Sequence, residues 1–505
     1  MSEPAASDDS ALTQQRRLHP WSWLFVLLQQ LKQFILPLVA LLVFGGRDSR
    51  GGEWTVMAPV IAIGVLVILS VVQYFTYRYS VGRESLSVRD GLLHRTLREI
   101  PFARIHNVVV HQSLLHRMFG VAEVRLESAG GQKPEAQMRV LSLTDALALE
   151  SLVKHRGRVV EASAEQAPSA DSLLTLPLGE VIRLGLISNR GMILVAAAFG
   201  AAWQILPEDQ MGSLFRAGFQ QAFGYASHLQ LGWLSTAVSV LIVIAVALLL
   251  LRGLSVLLAL LQYFGFRLSE EQRRLMVERG LLTRLRTSVA RRRIQAWTLQ
   301  EGLLHRWFKR RSLRIDTAVA EQQGQGEQRA LKELAPIATP AVCDQLIQRL
   351  LPQAQWPRED WRPLPLSAWW RLFVPGALLV TLLTGVLTWH FGGWGLLLLA
   401  WLPWGVYESR QHARRAGYVL DAQLIAVRGG WWARYWRFAE IDKLQALRLS
   451  RSPLDRRCGT ASLWLDTAGA TGMAPPLRIR FLPEAEAREL YDQLGRALAR
   501  RRLRW

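Results

Sequence analysis

A stretch of about fifty residues recurs three times in this chain, each time directly after a pair of apolar segments. The first copy begins at Gln73 (QYFTYRYSVGRESLSVRDGLLHR) and the second at Gln262 (QYFGFRLSEEQRRLMVERGLLTR). Gln73 and Gln262 each stand 18 residues before a glycine, Gly91 and Gly280. Those glycines stand 14 before Ile105 and Ile294, which in turn stand 12 before Arg117 and Arg306. The third copy keeps the last two intervals at Gly430, Leu444 and Arg456, and its LWLDT at Leu463 echoes the RLES and RIDT of the others. Self-similarity at fixed spacing constrains architecture before any single residue does. It predicts three equivalent domains, each tethered to a membrane, with the third worn toward a structural remnant.

Half of the 505 residues are hydrophobic, yet the formal charge is +21. A membrane protein resolves that combination by segregating apolar and basic residues along the chain, as here. Two distant cysteines, Cys343 and Cys458, make neither a disulfide scaffold nor a metal spacing, which fits a reducing compartment. Tryptophans such as Trp21, Trp54, Trp369 and Trp394 flank apolar runs, where indole settles at the headgroup boundary.

The apolar segments fall in pairs: 33–45 with 55–75, 190–206 with 232–254, and 370–390 with 394–408. About 17–20 apolar residues cross the hydrocarbon as a helix, so six spans in three hairpins are expected. Gln29, Gln30, Lys32 and Gln33 interrupt the first segment. It reads equally as an interfacial helix from Trp21 to about Lys32 with a short span after it, or as one long tilted helix with Lys32 snorkelling. Arg16, Arg17, Arg78, Arg183, Arg267, Arg371, Arg410 and Arg415 all fall on one side of these hairpins, against Arg47, Arg50 and Arg216 on the other. The positive-inside rule therefore puts both termini and all three repeats in the cytoplasm. Arg252, inside an apolar stretch, reads as the cytoplasmic exit of its helix rather than as a functional intramembrane charge.

Each repeat reads as short β-strands separated by turns, then a helix: from Leu143 in the first copy, Thr339 in the second, Pro483 in the third. Thr144 and Thr339 suit N-caps. Several antiparallel strands closed by one amphipathic helix describe a small barrel or sandwich plugged at one end. A paired span followed by this GLL, P, RI and R-x-F-G pattern resembles the bacterial PH-like, membrane-flanked domain family, the YdbT-like proteins. The residues that carry it are Gly91, Ile105, Leu115, Arg117 and Phe119, then Gly280, Ile294, Leu304, Arg306 and Phe308, then Gly430, Leu444, Leu454 and Arg456. The second copy departs at Val289, Ala290 and Lys309, and the third puts Cys458 in place of the phenylalanine. The resemblance implies an α+β membrane protein in which each transmembrane hairpin is followed by a small cytoplasmic PH-like barrel with a C-terminal helix. It further implies a role in envelope maintenance or stress defence.

The division expected is a cytoplasmic tail over 1–20, hairpins over 21–77, 188–264 and 369–409, PH-like domains over 78–160, 265–353 and 410–505, and linkers over 161–187 and 354–368. Arg117 and Arg306 suit a phosphate or carboxylate, since guanidinium binds two oxygens. Recurrence in all three copies favours a structural duty instead, each arginine bridging backbone or an acidic side chain. His106, His111 and His116, spaced by five, do not share a strand or helix face, so no metal is expected. Arg291, Arg292, Arg293, Lys309, Arg310 and Arg311, and the tail arginines Arg500, Arg501 and Arg502, are candidate contacts for anionic lipid or a protein partner. Each gains roughly 1 kcal/mol beside an anionic leaflet, although positive-inside bias alone accounts for much of the excess. No phosphate loop, nucleophile elbow or paired carboxylate occurs, so neither a cofactor nor an enzyme is expected. The reading is an inner-membrane scaffold that contacts membrane lipids and protein partners, another PH-like membrane protein among them, and no nucleic acid. The alternative is a transporter or lipid-handling protein with grooves between hairpins, although the spans lack the broken helices usual in carriers.

Overall fold

The computed structural model describes residues 16–17, 19–28, 30–31, 52–82, 84–91, 95–128, 136–154, 171–205, 212–213, 233–271, 273–317, 332–468 and 475–500. The first repeat contains β2 (Arg78–Val81), β3 (Ser85–Asp90), β4 (Thr96–Pro101), β5 (Ile105–Gln112), β6 (Val121–Ser128) and β7 (Ala136–Ser142). The second contains β9 (Arg267–Glu271), β10 (Arg274–Arg279), β11 (Arg284–Ala290), β12 (Ile294–Glu301), β13 (Arg311–Thr317) and β14 (Glu333–Ala338). The third contains β16 (Gly417–Leu420), β17 (Leu424–Gly429), β18 (Arg434–Glu440), β19 (Leu444–Ser450), β20 (Thr460–Thr467) and β21 (Arg478–Pro483). A helix closes each repeat, at Leu143–Lys154, Pro340–Leu350 and Glu484–Ala499.

Within a repeat the first three strands and the last three form two layers, with the helix packed on the core between them. In the first repeat Leu86, Val88, Val110, Val124, Leu126 and Met138 meet Leu149 of the helix. Motif residues Ile105, Ile294 and Leu444 each open the fourth strand of their repeat and are buried, so their recurrence is a packing requirement. Thr339 caps its helix as expected, accepting from the Val342 amide. Thr144 does not: the Ser142 hydroxyl takes the Asp145 amide at 3.1 Å, because the helix begins at Leu143, two residues before a Thr144 cap requires. The third repeat is no remnant. It has the same six strands and helix around a core that includes Leu444, Leu463, Ile479 and Leu490. Cys458 serves as the C-cap where Phe119 and Phe308 stand in the other copies.

The sheets do not respect the repeat boundaries. One seven-stranded sheet runs β7-β6-β5-β11-β10-β9-β8, with β8 at Asp171–Thr175, and another runs β14-β13-β12-β18-β17-β16-β15, with β15 at Arg362–Pro363. The last three strands of one repeat thus continue into the first three of the next. The first half of repeat one, preceded by β1 (Arg16–Arg17), and the second half of repeat three are left as separate end sheets, β1-β2-β3-β4 and β19-β20-β21.

Three short strands precede the hairpins: β1 (Arg16–Arg17), β8 (Asp171–Thr175) and β15 (Arg362–Pro363). Each pairs antiparallel with the first strand after its hairpin. Arg17 lies opposite Arg78, Thr175 opposite Arg267, and Pro363 opposite Gly417. Each apolar segment pair is therefore flanked by two neighbouring strands.

Six spans were expected. Among the described residues two stretches are long and apolar enough to cross a membrane, Val240–Tyr263 and Leu366–Arg415. A third exists if Leu178–Ile187 and Arg190–Gln204, bent by 51° at their break, count as one span. The shortfall has local causes. The expected span 33–45 lies outside the described residues, and the helix Arg190–Ile205 has 16 residues, short for a crossing by itself. The expected pair 370–390 and 394–408 merges into one 50-residue run because the FGG turn continues as a 3₁₀ segment, Gly392–Ala400, rather than a loop. That run nonetheless folds back. A methyl group added at Gly405 would stand 2.7 Å from the Trp401 ring and 3.2 Å from Phe373, and one at Gly395 would stand 2.4 Å from the Thr388 amide nitrogen.

Arg252 acts at the bend of the second hairpin. Its guanidinium donates to the carbonyls of Leu186 (2.8 Å) and Ser188 (3.2 Å), which the break between Leu178–Ile187 and Arg190–Ile205 leaves without helical partners.

Candidate functional site: the seams between repeats

Strands β5 and β11 join repeats one and two, with Gln112 opposite Arg284, Val110 opposite Arg286 and Val108 opposite Ser288. Strands β12 and β18 join repeats two and three, with Glu301 opposite Arg434, Leu299 opposite Trp436 and Trp297 opposite Phe438. Aligned on their motif residues, the two seams have the same register: the seventh residue after Ile105 or Ile294 faces the fourth after Gly280 or Gly430. Both are buried at the middle, where Val109 and Thr287 meet in one and Thr298 and Arg437 in the other.

The motif arginines close these seams. Arg117 donates to the Leu281 carbonyl at 3.1 Å, and Arg306 to the Trp432 carbonyl at 3.4 Å. Each therefore reaches out of its own repeat into the glycine turn of the next, beside Gly280 or Gly430. The structural duty expected for these arginines is what the geometry gives, but the backbone they bridge belongs to the neighbouring repeat. Those turns need glycine. Gly280 and Gly430 have φ of +111° and +78°, and a Cβ there would lie 1.9 Å from the Thr283 carbonyl oxygen or 1.8 Å from that of Ala433.

Further contacts differ between the seams. In the first, Arg293 donates to the Ile105 carbonyl (3.3 Å) and Arg286 lies 3.6 Å from Glu150. In the second, buried Arg437 pairs with Asp316 at 2.6 Å and donates to the Pro475 carbonyl at 2.7 Å. Burial pushes the Asp316 carboxyl above its ordinary value and Arg437 opposes that rise, as expected of an ion pair removed from water.

The second-copy basic residues are not one patch. The eight-residue strand β12 separates Arg291, Arg292 and Arg293 from Lys309, Arg310 and Arg311, a span of roughly 25 Å at 3.3 Å per residue. Most are already engaged. Arg291 donates to Glu270 (3.1 Å) and the Leu350 carbonyl (2.6 Å), Arg310 grips Glu180 at 2.7 and 2.8 Å, and Arg311 lies 3.1 Å from Asp344. Arg292 and Lys309 are exposed. Arg500 follows the last helix and is exposed, whereas Arg501 and Arg502 lie outside the described residues. Sequence reading counted charges here but had no means of counting their partners.

Other buried charges lock hairpins to domains. Arg190, opening the second hairpin, donates to the Tyr263 hydroxyl at 2.5 Å and lies 3.7 Å from Glu333, which Arg279 and Arg314 also face at 3.7 and 3.2 Å. Burial would raise the Glu333 carboxyl, but these guanidiniums and the Tyr263 hydroxyl hold it below its ordinary value. Arg371 of the third hairpin pairs with Asp455, which Ser452 and Thr460 also bond; the outcome, against a desolvation that raises it, is a carboxyl held down at about 2. Of the histidines, His111 lies 3.6 Å from Glu123, and the His116 ring meets Phe25 at 4.2 Å between centroids, tilted by 43°. Phe119 meets Trp21 at 4.8 Å, so the start of the first apolar segment packs on the motif helix Leu114–Met118.

The glycine turns also adjoin the apolar helices. The amides of Gly280 and Leu281 donate to the Phe264 and Leu261 carbonyls at the end of the long apolar helix, at 2.9 and 3.0 Å. Trp431 and Trp432 cluster with Trp404 and Tyr407 of the third hairpin. Beside these turns the motif helices expose Met118 (78%) and Trp307 (82%). Repeated seams and glycine turns anchored on apolar hairpins define a membrane-associated protein built from three copies of one domain. The bacterial PH domain matches residues 26–157, 226–341 and 371–498, most of the chain, and the chain belongs to that family. It is similar, at 20% identity over 463 residues, to the transmembrane protein YdbT of Bacillus subtilis (strain 168), covering 88% of this chain and 91% of that one. No solved structure matches it.

Proposed function

We propose that this protein is a non-enzymatic, multi-pass scaffold of the bacterial cytoplasmic membrane. Paired apolar segments hold a single continuous array of PH-like units on the cytoplasmic face. The observation that carries this reading is the pairing of β8 with β9 and of β15 with β16 across the hairpins. A chain that leaves from one strand and returns to its neighbour crosses a bilayer an even number of times, which favours hairpins over single spans and keeps all three repeats on one side. The shared sheets support a scaffold, because units fused through β-ladders keep fixed spacing where flexible linkers would not. Membrane contact is supported by the exposed Leu281, Leu282, Trp307 and Met118 near the glycine turns, together with exposed Lys309.

Cysteines placed one at a time at Ser213 and Glu489, in a Cys458→Ser background that keeps the buried Cys343, test the topology with an impermeant thiol reagent on intact cells. Position 213 should label from outside, and position 489 only after permeabilisation. Labelling of both from the same side would sink the hairpin arrangement.

A further inference from the structure

Each internal seam joins a β5-type strand to a β4-type strand: β5 to β11, and β12 to β18. One strand of each type remains. Among the described residues β4 has β3 as its one neighbour and β19 has β20 as its one neighbour. Their exposure matches that status. Thr287 and Ser288 of β11, and Arg437 and Phe438 of β18, are buried, whereas the equivalent Arg98 and Glu99 of β4 are exposed and Leu97 is 73% exposed. Thr298 of β12 is buried, whereas its equivalent Arg448 of β19 is exposed. Such open edges are templates for another strand. The third motif arginine tells the same story. Arg117 and Arg306 hold the next repeat's glycine turn, while the exposed Arg456 side chain has no hydrogen-bond partner among the described residues.

We propose that copies of this chain join head to tail, β19 of one copy pairing with β4 of the next in the register of the internal seams. This rests on the scaffold reading above and names its partner. The register sets Leu449 opposite Leu97, Ser450 opposite Thr96 and Leu447 opposite Glu99. Arg456 then meets the turn at Gly91, whose φ of +107° matches that of Gly280. Asp466 occupies the place of Asp316 and receives Arg98 as Asp316 receives Arg437. The next copy's first hairpin follows at the position a fourth hairpin would hold, so the array continues along the membrane. Because the two joined edges differ, the contact is heterologous, generating a ring or an open row. One feature weakens it: Arg98 faces Arg448, and Arg95 faces Arg451, although Arg451 is already paired with Glu484 at 2.6 Å. Like charges directly opposite oppose pairing, so the joint tightens as salt rises.

The test uses full-length protein in native membranes, with Leu97→Cys and Leu449→Cys carried on separate chains in the Cys458→Ser background. Directly opposed strand residues lie within disulfide reach. Oxidation of the co-expressed pair should give a dimer that neither variant gives alone. Arg448→Glu should raise the yield at low salt by about threefold to tenfold, and Arg456→Ala should lower it while leaving the thermal midpoint unchanged. Dimers of Leu97→Cys alone, crosslinks only to a different protein, or no crosslink overturn the proposal. Labelling at 213 and 489, both away from the joined edges, reads the scaffold topology independently, so the two failures are distinguishable.

Discussion

At the scale of single residues, the repeat's most regular positions turn out to be backbone requirements rather than ligand contacts. Gly280 and Gly430 sit where a Cβ would strike a carbonyl oxygen below 2 Å, at positive φ. Gly120 and Gly459 share a left-handed conformation, with φ of +63° and +62°, but have open space around them, and Lys309 adopts the same conformation at +53°. The two classes should separate on mutation. Gly280→Ala and Gly430→Ala should each cost about 2–3 kcal/mol, and Gly459→Ala about 1 kcal/mol, read as shifts in thermal midpoint in detergent. Equal losses in both classes would show that the steric contact contributes nothing. The toleration of Lys309 explains why the second copy departs from the pattern without losing its fold. The spacing of these glycines was plain in the sequence. Their reason was not, because φ and clash distance depend on the turn that surrounds them.

At the scale of elements, strands, closing helices and their order were legible from alternating hydrophobicity and turn residues, whereas the six spans expected from the apolar pairs were not: among the described residues two stretches, or three with the bent pair, are long and apolar enough to cross a membrane. What the sequence hid was pairing across repeats. A ladder is made of backbone amides and carbonyls, which every residue carries, so the choice of neighbour leaves little trace in side chains. The arginine clamps are the exception, and they give the matching prediction. Arg117→Ala and Arg306→Ala each remove a bond from one repeat to the next and should each cost about 1 kcal/mol, with faster proteolysis between the repeats. Arg456→Ala, whose clamp has no turn to hold within the chain, should leave the isolated chain's stability unchanged. If all three behave alike, the arginines serve their own repeats and the seam interpretation fails. The basic residues of the second copy show the converse error of reading side chains without their neighbours. Arg291, Arg310 and Arg311 are ion-paired with Glu270, Glu180 and Asp344, so their summed charge overstates what the surface presents.

At the scale of the whole molecule, three domains fused through two seven-stranded sheets should not melt as three. A repeat array gains stability from its interfaces as well as its units, and here the interfaces are ladders with buried centres. Gly280→Ala in repeat two should therefore lower the unfolding midpoint reported by hydrogen exchange in β20 of repeat three. A change confined to repeat two would mean the seams transmit nothing. The same fusion explains why the third copy keeps a complete fold despite its sequence drift. Substitutions such as Cys458 fall at positions where backbone conformation, not side-chain identity, is what the fold uses.

The sequence by itself determined the number of units, their order, and the alternation of apolar segments with β-rich domains, because period and hydropathy are local properties written residue by residue. Only the tertiary structure decided that neighbouring units share sheets, that the motif arginines act between repeats, and that two strand edges remain open at the ends. Those facts rest on hydrogen bonds between backbone groups more than a hundred residues apart, and such groups are chemically identical until the fold brings particular ones together.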